Sequence, residues 1–412
     1  MHAEQVCHKI MNNACAWMHG LRRQALNAGI LAAIRGQRLT VTGLGRAMRS
    51  EVKEKHCIKR ADRLLSNVHL YQEHRTVYQT VTQLIIGSTN RPVILVDWSD
   101  LNGCRQNYLL RAGVSIEGRS LTLYEEVHTL KAKEKPNVHD RFLRRLKAML
   151  PATCRPIIVT VAGFRTPYPR APSLASQFTL WFKNVETLSW DWVGRIRNRT
   201  MMRQEGFSDW TPCKDVYSMA TSRAKYLGPV ELTQANPISC KMVLYKSKPK
   251  GRVMKNGAGE RACLNHSSKN ATRGREPWLL ATSLPTNSKL AKQVVKIYSS
   301  RMQIEEAFRD TKSCNYGLGY ELSGTKNPKR LQILLLIAAL AALVLWILGA
   351  IARTSGQHRH YQANTVRNRN VLSIIYIGLR VASDCRFCMK EQDIVLAAQQ
   401  LWLTIQNHAS DW

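Results

Sequence analysis

Acidic residues are scarce in this chain. It has 28 Asp and Glu against 61 Lys and Arg in 412 residues, a formal net charge of +33 and a pI of about 10.1. A globular protein this basic meets an anion, and the usual polyanions are nucleic acid and anionic membrane. The basic residues are spread over the chain rather than gathered in a tail, which suits an extended binding surface better than a tethering arm. A disulfide framework is also missing. The 11 cysteines are odd in number and scattered, which excludes a secreted, disulfide-stapled scaffold and points to a reduced interior. Cys385 and Cys388 form one CxxC with His358 and His360 upstream, but a zinc site needs a second pair at suitable spacing, so these read as ordinary thiols. The N-terminal residues MHAEQVCHKI hold neither a continuous apolar segment nor a small-residue cleavage site, so no signal peptide and a cytoplasmic location are expected. One long apolar run exists, residues 331–352, with Gln332 its only clearly polar member. Its length nears the roughly 20 residues a bilayer requires, and a helix buried all round gives the same pattern.

What is present divides along the chain. Residues 1–85 read as helical. Thr40, Thr42 and Gly43 supply a cap and turn before a basic amphipathic helix over 54–66, with Ile58, Ala61, Leu64 and Leu65 inward and Lys55, Lys59, Arg60 and Arg63 outward. A helix, a turn and a basic helix resemble a helix-turn-helix module. Residues 93–96 are a continuous β-branched and aliphatic run, a strand buried on both faces, and Asp97 stands at its end. Strands over 105–113 and 119–127, a helix over 137–149 with Asn137 as cap, and a strand over 157–161 complete a mixed α/β pattern. Residues 246–276 are basic and rich in turn formers, either a solvated loop or a phosphate-contacting one. A strand over 278–284 follows, and 390–406 reads as a final amphipathic helix.

Two places carry chemistry. Asp97 at a buried strand end is costly unless paired or metal-bound. Residues 298–312, YSSRMQIEEAFRDTK, contain no Pro or Gly and read as one helix. At about 100° per residue, Tyr298, Arg301, Glu305 and Lys312 fall within an arc of roughly 60°, with Ile297, Ile304 and Phe308 on an adjoining apolar stripe. A salt-bridged solvated face produces the same spacing. Asp97 and a Glu305 brought from a distant helix would suit Mg²⁺, which takes oxygen ligands and keeps several waters.

VDWSD, EPWLLATSLP and the spacing Y-x2-R-x3-E-x6-K resemble bacterial insertion-sequence transposases of the Tyr-Arg-Glu-Lys signature type, the insertion-sequence-four type. HCIKRADRLLSN, RSLTLYE, NPISC, RMQIEEAFRD, YGLG and QANTVRNRNVLS extend the resemblance over nearly the whole chain. It implies an RNase H-like mixed-sheet catalytic core with a β-rich insertion and helical N- and C-terminal regions. The implied division is 1–85 for DNA-end binding, 86–198 and 277–355 for the core, 199–276 for the insertion and 356–412 for a helical C-terminal region. It also makes 331–352 a core helix. By position, Asp97 resembles the first metal-binding Asp and Glu305 the catalytic Glu. Tyr298, Arg301 and Lys312 match residues that grip terminal phosphates, and Trp278 matches a Trp that stacks on a flipped base. The implied partners are double-stranded DNA with terminal inverted repeats, target DNA and a second copy of the chain. The implied cofactor is Mg²⁺, with Mn²⁺ as substitute.

The chain departs from that pattern in one short region. The second metal-binding Asp should end the strand IIVTVAGF, but Val161 stands there and offers no oxygen. Residues 168–180 look like extra sequence. The expectation is a transposase whose cut-and-paste activity is impaired in this copy, with Asp191 or Asp140 as candidate substitute carboxylates. The rival readings are a catalytically dead protein that occupies DNA ends or inhibits active copies, a membrane protein anchored through 331–352, and a structure-specific RNase H-like nuclease.

Overall fold

The computed structural model describes residues 2–101, 106–160, 174–197, 200–247, 276–363, 365–366 and 368–410. Two compact units divide it: Met1–Pro156 with Met302–Asp411, and Ile157–Arg301. The first unit opens with five helices: α1 (His2–Ala14), α2 (Gly20–Gly36), α3 (Val41–Ala47), α4 (Glu54–Leu65) and α5 (Val68–Ile86). Side chains cap two of them, because the first backbone N–H groups of a helix lack internal partners. Thr40 Oγ1 accepts from Gly43 N at 2.9 Å before α3, and Asn67 Oδ1 accepts from Leu70 N at 2.8 Å before α5. Strands β1 (Val93–Asp100), β2 (Asn107–Ser115) and β3 (Ser120–Thr129) then form an antiparallel meander. Helix α6 (Pro136–Met149) follows. Pro136 takes its first turn, where a missing N–H costs nothing, and Lys135 rather than Asn137 is the capping residue.

The second unit carries β4 (Ile157–Thr160), α7 (Leu174–Thr187), β5 (Asp191–Ile196), β6 (Met201–Gln204), β7 (Thr211–Pro212), β8 (Lys225–Leu232), β9 (Ile238–Tyr245), β10 (Trp278–Thr282) and α8 (Leu290–Ser299). Its strands lie in the order β4-β5-β10-β9-β8-β6-β7, with β4 and β5 parallel and the other neighbours antiparallel. Phe182 of α7 stacks on Trp192 at 3.8 Å and crosses Gly194.

The chain returns to the first unit with α9 (Met302–Lys312), α10 (Pro328–Thr354), α11 (Ile374–Ser383) and α12 (Glu391–Ser410). Helix α10 is the axis of that unit. It is apolar and long enough to cross a bilayer, yet 89% of its most apolar stretch is buried. Helices α1, α2, α4, α5, α11 and α12 pack around it. Gln332 docks it to the meander. Its Nε2 donates to the Glu125 carbonyl at 2.8 Å and its Oε1 accepts from Val127 N at 3.1 Å. The lone polar residue of the run thus completes a strand edge, and the run is a core helix.

The expected long helix over 298–312 is interrupted. Residues 298–312 are not a single helix. Helix α8 ends at Ser299, Ser300 and Arg301 form a turn, and α9 begins at Met302. The hydroxyls of Ser299 and Ser300 bond back to the carbonyls of Lys296 and Ile297 at 2.6 and 2.7 Å. Such local bonds compete with the helical ladder, as serines do near helix ends. The shared arc therefore holds only for Glu305 and Lys312.

Candidate active site

Strand β1 is buried from Val93 to Val96 and emerges at Asp97, which is half-buried. Asp97 lies within the strand rather than at its end, and its Oδ1 accepts from Trp98 N at 2.8 Å. Register places Asp97 opposite Arg111 and Arg111 opposite Glu125, so the three point to one face of the meander. Helix α9 packs on that face. The Arg111 guanidinium sits 4.8 Å from the Phe308 ring centre and 3.4 Å from Thr311 Oγ1, while its Nε donates to Glu125 Oε2 at 2.6 Å. Tyr78 of α5 donates to the other Glu125 oxygen at 2.9 Å.

Both ends of α9 are tied down. Near its start, Gln303 Oε1 accepts from Ser115 Oγ and Ile116 N, each at 3.0 Å. Near its end, Lys312 Nζ donates to Ser99 Oγ at 2.7 Å and to the Asp100 carbonyl. Alternate strand residues share a face, so Ser99 and Asp97 look the same way, toward the helix. Glu305 precedes Lys312 by two turns on the same side of α9. The Asp97 face of β1 and the Glu305–Lys312 side of α9 are therefore parts of one packed arrangement. Burial and the nearby Arg111 guanidinium lower the Lys312 pKa, and Asp100 pulls it back up.

The opposite face of β1 is anchored separately. Trp98 Nε1 donates to His139 Nε2 of α6 at 3.0 Å. Burial, with the nearby His128, pushes the His139 pKa down to about 3, so it is neutral and an acceptor. Beside it, Glu126 meets Arg145 at 2.7 Å, the Tyr124 hydroxyl at 2.5 Å and His128 at 2.9 Å. Burial raises the Glu126 pKa, but the bonds from His128, Tyr124 and Arg145 outweigh it and hold it at about 2. Asp140 sits on α6, bonded to Arg144 at 3.0 Å, on the far side of the meander from α9. It is no substitute ligand beside Asp97.

In the second unit, three predicted residues come together. Trp278 opens β10 opposite Tyr245. The Tyr298 ring meets Trp278 edge-on, with centres 5.1 Å apart at 77°, and the Arg301 guanidinium lies 5.9 Å from the Tyr298 centre. Arg195 braces the start of β10 by donating to the Pro277 and Glu276 carbonyls at 3.2 and 3.3 Å. Asp191 accepts from the Ser283 hydroxyl at 3.0 Å. Val161, residues 168–173 of the 168–180 segment and residues 248–275 of the basic loop lie outside the described residues, while 174–180 open α7.

The Transposase DDE domain family matches this sequence over residues 88–343, well over half of the chain. The chain belongs to the DDE transposase family. A comparison with curated proteins finds no match. The transposase's mixed α/β fold is consistent with the RNase H-like core of such domains. Enzymes of this family are polynucleotidyl transferases that act on DNA with divalent metal ions.

Asp97 and Glu305 are carboxylates on packed elements, and a hydrated Mg²⁺ ion takes only one or two protein carboxylates. No group of three or more His, Cys, Asp or Glu among the described residues is arranged to hold a metal. A two-ion clamp requires a further oxygen ligand, and Val161 has none.

Away from these residues, α4 presents Lys55, Lys59, Arg60 and Arg63 to solvent over a buried face of Cys57, Ala61, Leu64 and Leu65; Ile58 is half-buried. Gly45 of α3 lets the two backbones touch, since a Cβ there would come within 2.5 Å of Ile58 Cα. Sequence reasoning missed Arg111, Glu125, Glu126 and His139. The visible signal was charge inside otherwise apolar strands, at Arg111 and at Glu125-Glu126, which is costly unless the charges face one another.

Proposed function

We propose that this transposase is an insertion-sequence enzyme of the Tyr-Arg-Glu-Lys signature type. It recognises terminal inverted repeats, cuts them by Mg²⁺-assisted phosphoryl transfer with Mn²⁺ as substitute, and joins the freed ends to target DNA. The observation that supports the proposal is the packing of α9 on the Asp97 face of the meander, through the bond from Lys312 to Ser99 and the bond from Arg111 to Thr311. Asp97 and Glu305 are the residues that would hold the ion, which would supply Lewis-acid stabilisation of negative charge on the phosphoryl oxygens. Lys312 contributes a point charge beside them. Its links to Ser99 and Asp100 hold it at the end of β1, so it approaches a phosphate already positioned. Arg301 contributes a planar fork suited to two phosphate oxygens, with Tyr298 against it. Trp278, held edge-on by Tyr298, is the stacking partner for an unpaired base at the end, worth about 1–3 kcal/mol.

In this reading residues 1–85 grip the DNA end, with the α4 cations on phosphates. Residues 199–276 are an insertion in the core of 86–198 and 277–355. Residues 356–412 contribute to a dimer assembled on DNA. Val161 removes a ligand position and impairs cleavage while leaving end binding intact. A second reading follows from the same residue: a catalytically silent chain that occupies ends or poisons active copies. Cleavage of inverted-repeat duplexes by the wild type and by Val161→Asp, with a gel shift alongside, tests both. The proposal expects the Asp variant to cut faster at equal DNA binding. Equal cleavage by the two proteins would defeat the role given to Val161, and binding without cleavage by either would favour the silent reading.

A further inference from the structure

Helix α6 lies on the face of the meander opposite α9. His139, Phe142 and Arg145 on its inner side meet Trp98, Tyr124 and Glu126, residues that alternate with the Asp97–Arg111–Glu125 row. Its outer side is strongly cationic. Arg141, Arg144 and Lys147 are exposed at three-residue steps, and the Arg144 side chain is 74% accessible. Their backbone positions span about 9 Å along the helix. Lys131 and Lys135, in the turn before α6, and Arg75, on α5, are also exposed. Arg75 is one turn from Gln79, whose Nε2 donates to the Ala148 carbonyl of α6 at 3.2 Å, so the two helices present a shared surface. Among the described residues the acids here are Asp140, bonded to Arg144, and Glu134 in the turn, paired with Lys133 at 3.7 Å. A solvated helix face usually mixes signs, and like charges at these spacings repel. Seven cations, Lys133 included, against two acids is a surface that a polyanion stabilises.

We infer that this α5–α6 surface docks the phosphate backbone of a second duplex DNA, bound without regard to sequence, on the side of the meander away from α9. The inference rests on the DNA-acting reading above but not on its chemistry. The residues offered are Arg and Lys alone. They suit phosphates at fixed spacing and carry no element for reading base edges. The track starts at the Lys131–Lys135 turn, where Lys133 Nζ lies 3.9 Å from Asp100 at the end of β1. It runs away from there along α6, so a duplex laid on it extends outward from the end of the strand that carries Asp97.

The test is binding of a random-sequence duplex in EDTA across a salt series, by wild type and by Arg141→Gln/Arg144→Gln/Lys147→Gln. Working without divalent ions separates the result from any effect of Val161. Each lost phosphate contact reduces the slope of log affinity against log salt by about 0.9, so the triple variant is expected to be shallower by about 2 to 3. Its affinity should fall about tenfold or more at low salt. A second set, Arg75→Gln/Lys131→Gln/Lys135→Gln, is expected to act in the same direction. An unchanged slope in both folded variants, with wild-type binding intact, overturns the inference and leaves the DNA-acting reading standing. Absence of duplex binding by the wild type overturns that reading as well. Vesicles of phosphatidylserine and phosphatidylcholine provide the other arm: loss of vesicle binding without loss of DNA slope would assign the surface to a membrane and refute the inference.

Discussion

Replacing Arg111 by Met is the sharpest test of how α9 is held on the meander. The side chain is 1% exposed and its partner Glu125 is 0% exposed, so solvent does not screen the pair. The substitution keeps much of the volume and removes the donor at 2.6 Å from Glu125 Oε2. The carboxylate keeps the Tyr78 hydroxyl at 2.9 Å as its side-chain donor. Stranding a buried carboxylate in this way costs about 3–5 kcal/mol. The contact with the Phe308 ring and the bond to Thr311 disappear too, so α9 loosens at the turn next to Lys312. The assay is urea unfolding followed by a probe in the first unit, read as the shift of the midpoint at constant slope. The matched apolar set Arg111→Met/Glu125→Leu/Tyr78→Phe removes both charges and the orphaned hydroxyl. It should recover to within about 1–2 kcal/mol of the wild type, because burying two paired ions gains little over well-packed hydrophobes. A loss below about 1 kcal/mol for Arg111→Met would refute the reasoning, since the carboxylate would then have found water or another donor.

Two further outcomes follow from buried groups. His139 titrates at about 3 in the fold and near 6.5 when unfolded, so below pH 6.5 the unfolded chain binds the extra proton and stability falls as pH drops. The loss between pH 6.5 and 5 should approach about 1.4 kcal/mol per pH unit, and His139→Gln should flatten it, leaving a smaller slope from His74, whose pKa burial also lowers; identical pH profiles would contradict the assignment. Gly378→Ala places a Cβ 2.0 Å from the Leu345 carbonyl oxygen, so α10 and α11 must separate. Overpacking of this kind should lower the unfolding midpoint by about 1–3 kcal/mol despite alanine's better helix propensity, and a stabilised variant would show that the helices are not in close contact.

Much of this protein could be read from sequence because the signals are local. The aliphatic run at 93–96, the amphipathic spacing of 54–66 and the cap at Thr40 each depend on neighbours a few residues away, and each is found where expected. The family was legible as well, since its motifs are short and contiguous. The helix over 298–312 was misread because propensity does not register two serines that bond back to the chain where the helix ends, at the second residue of the segment. The helix over 374–383 was not delimited within the helical region expected over 356–412, although Ser373 caps it and its apolar side packs on α10.

Composition left the apolar run of residues 331–352 undecided between bilayer and core, because both surround a helix with hydrocarbon. Only its neighbours decided, and with them the bonds from Gln332 to β3. The row of Asp97, Arg111 and Glu125 belongs to the same class. Each charge is visible in the sequence as an anomaly in a strand, but strand register and the docking of α9 turned three anomalies into one arrangement. Periodicity is a property of a few consecutive residues. The satisfaction of a buried charge depends on a partner 14 or 200 residues away, and the chain has to fold before that partner exists.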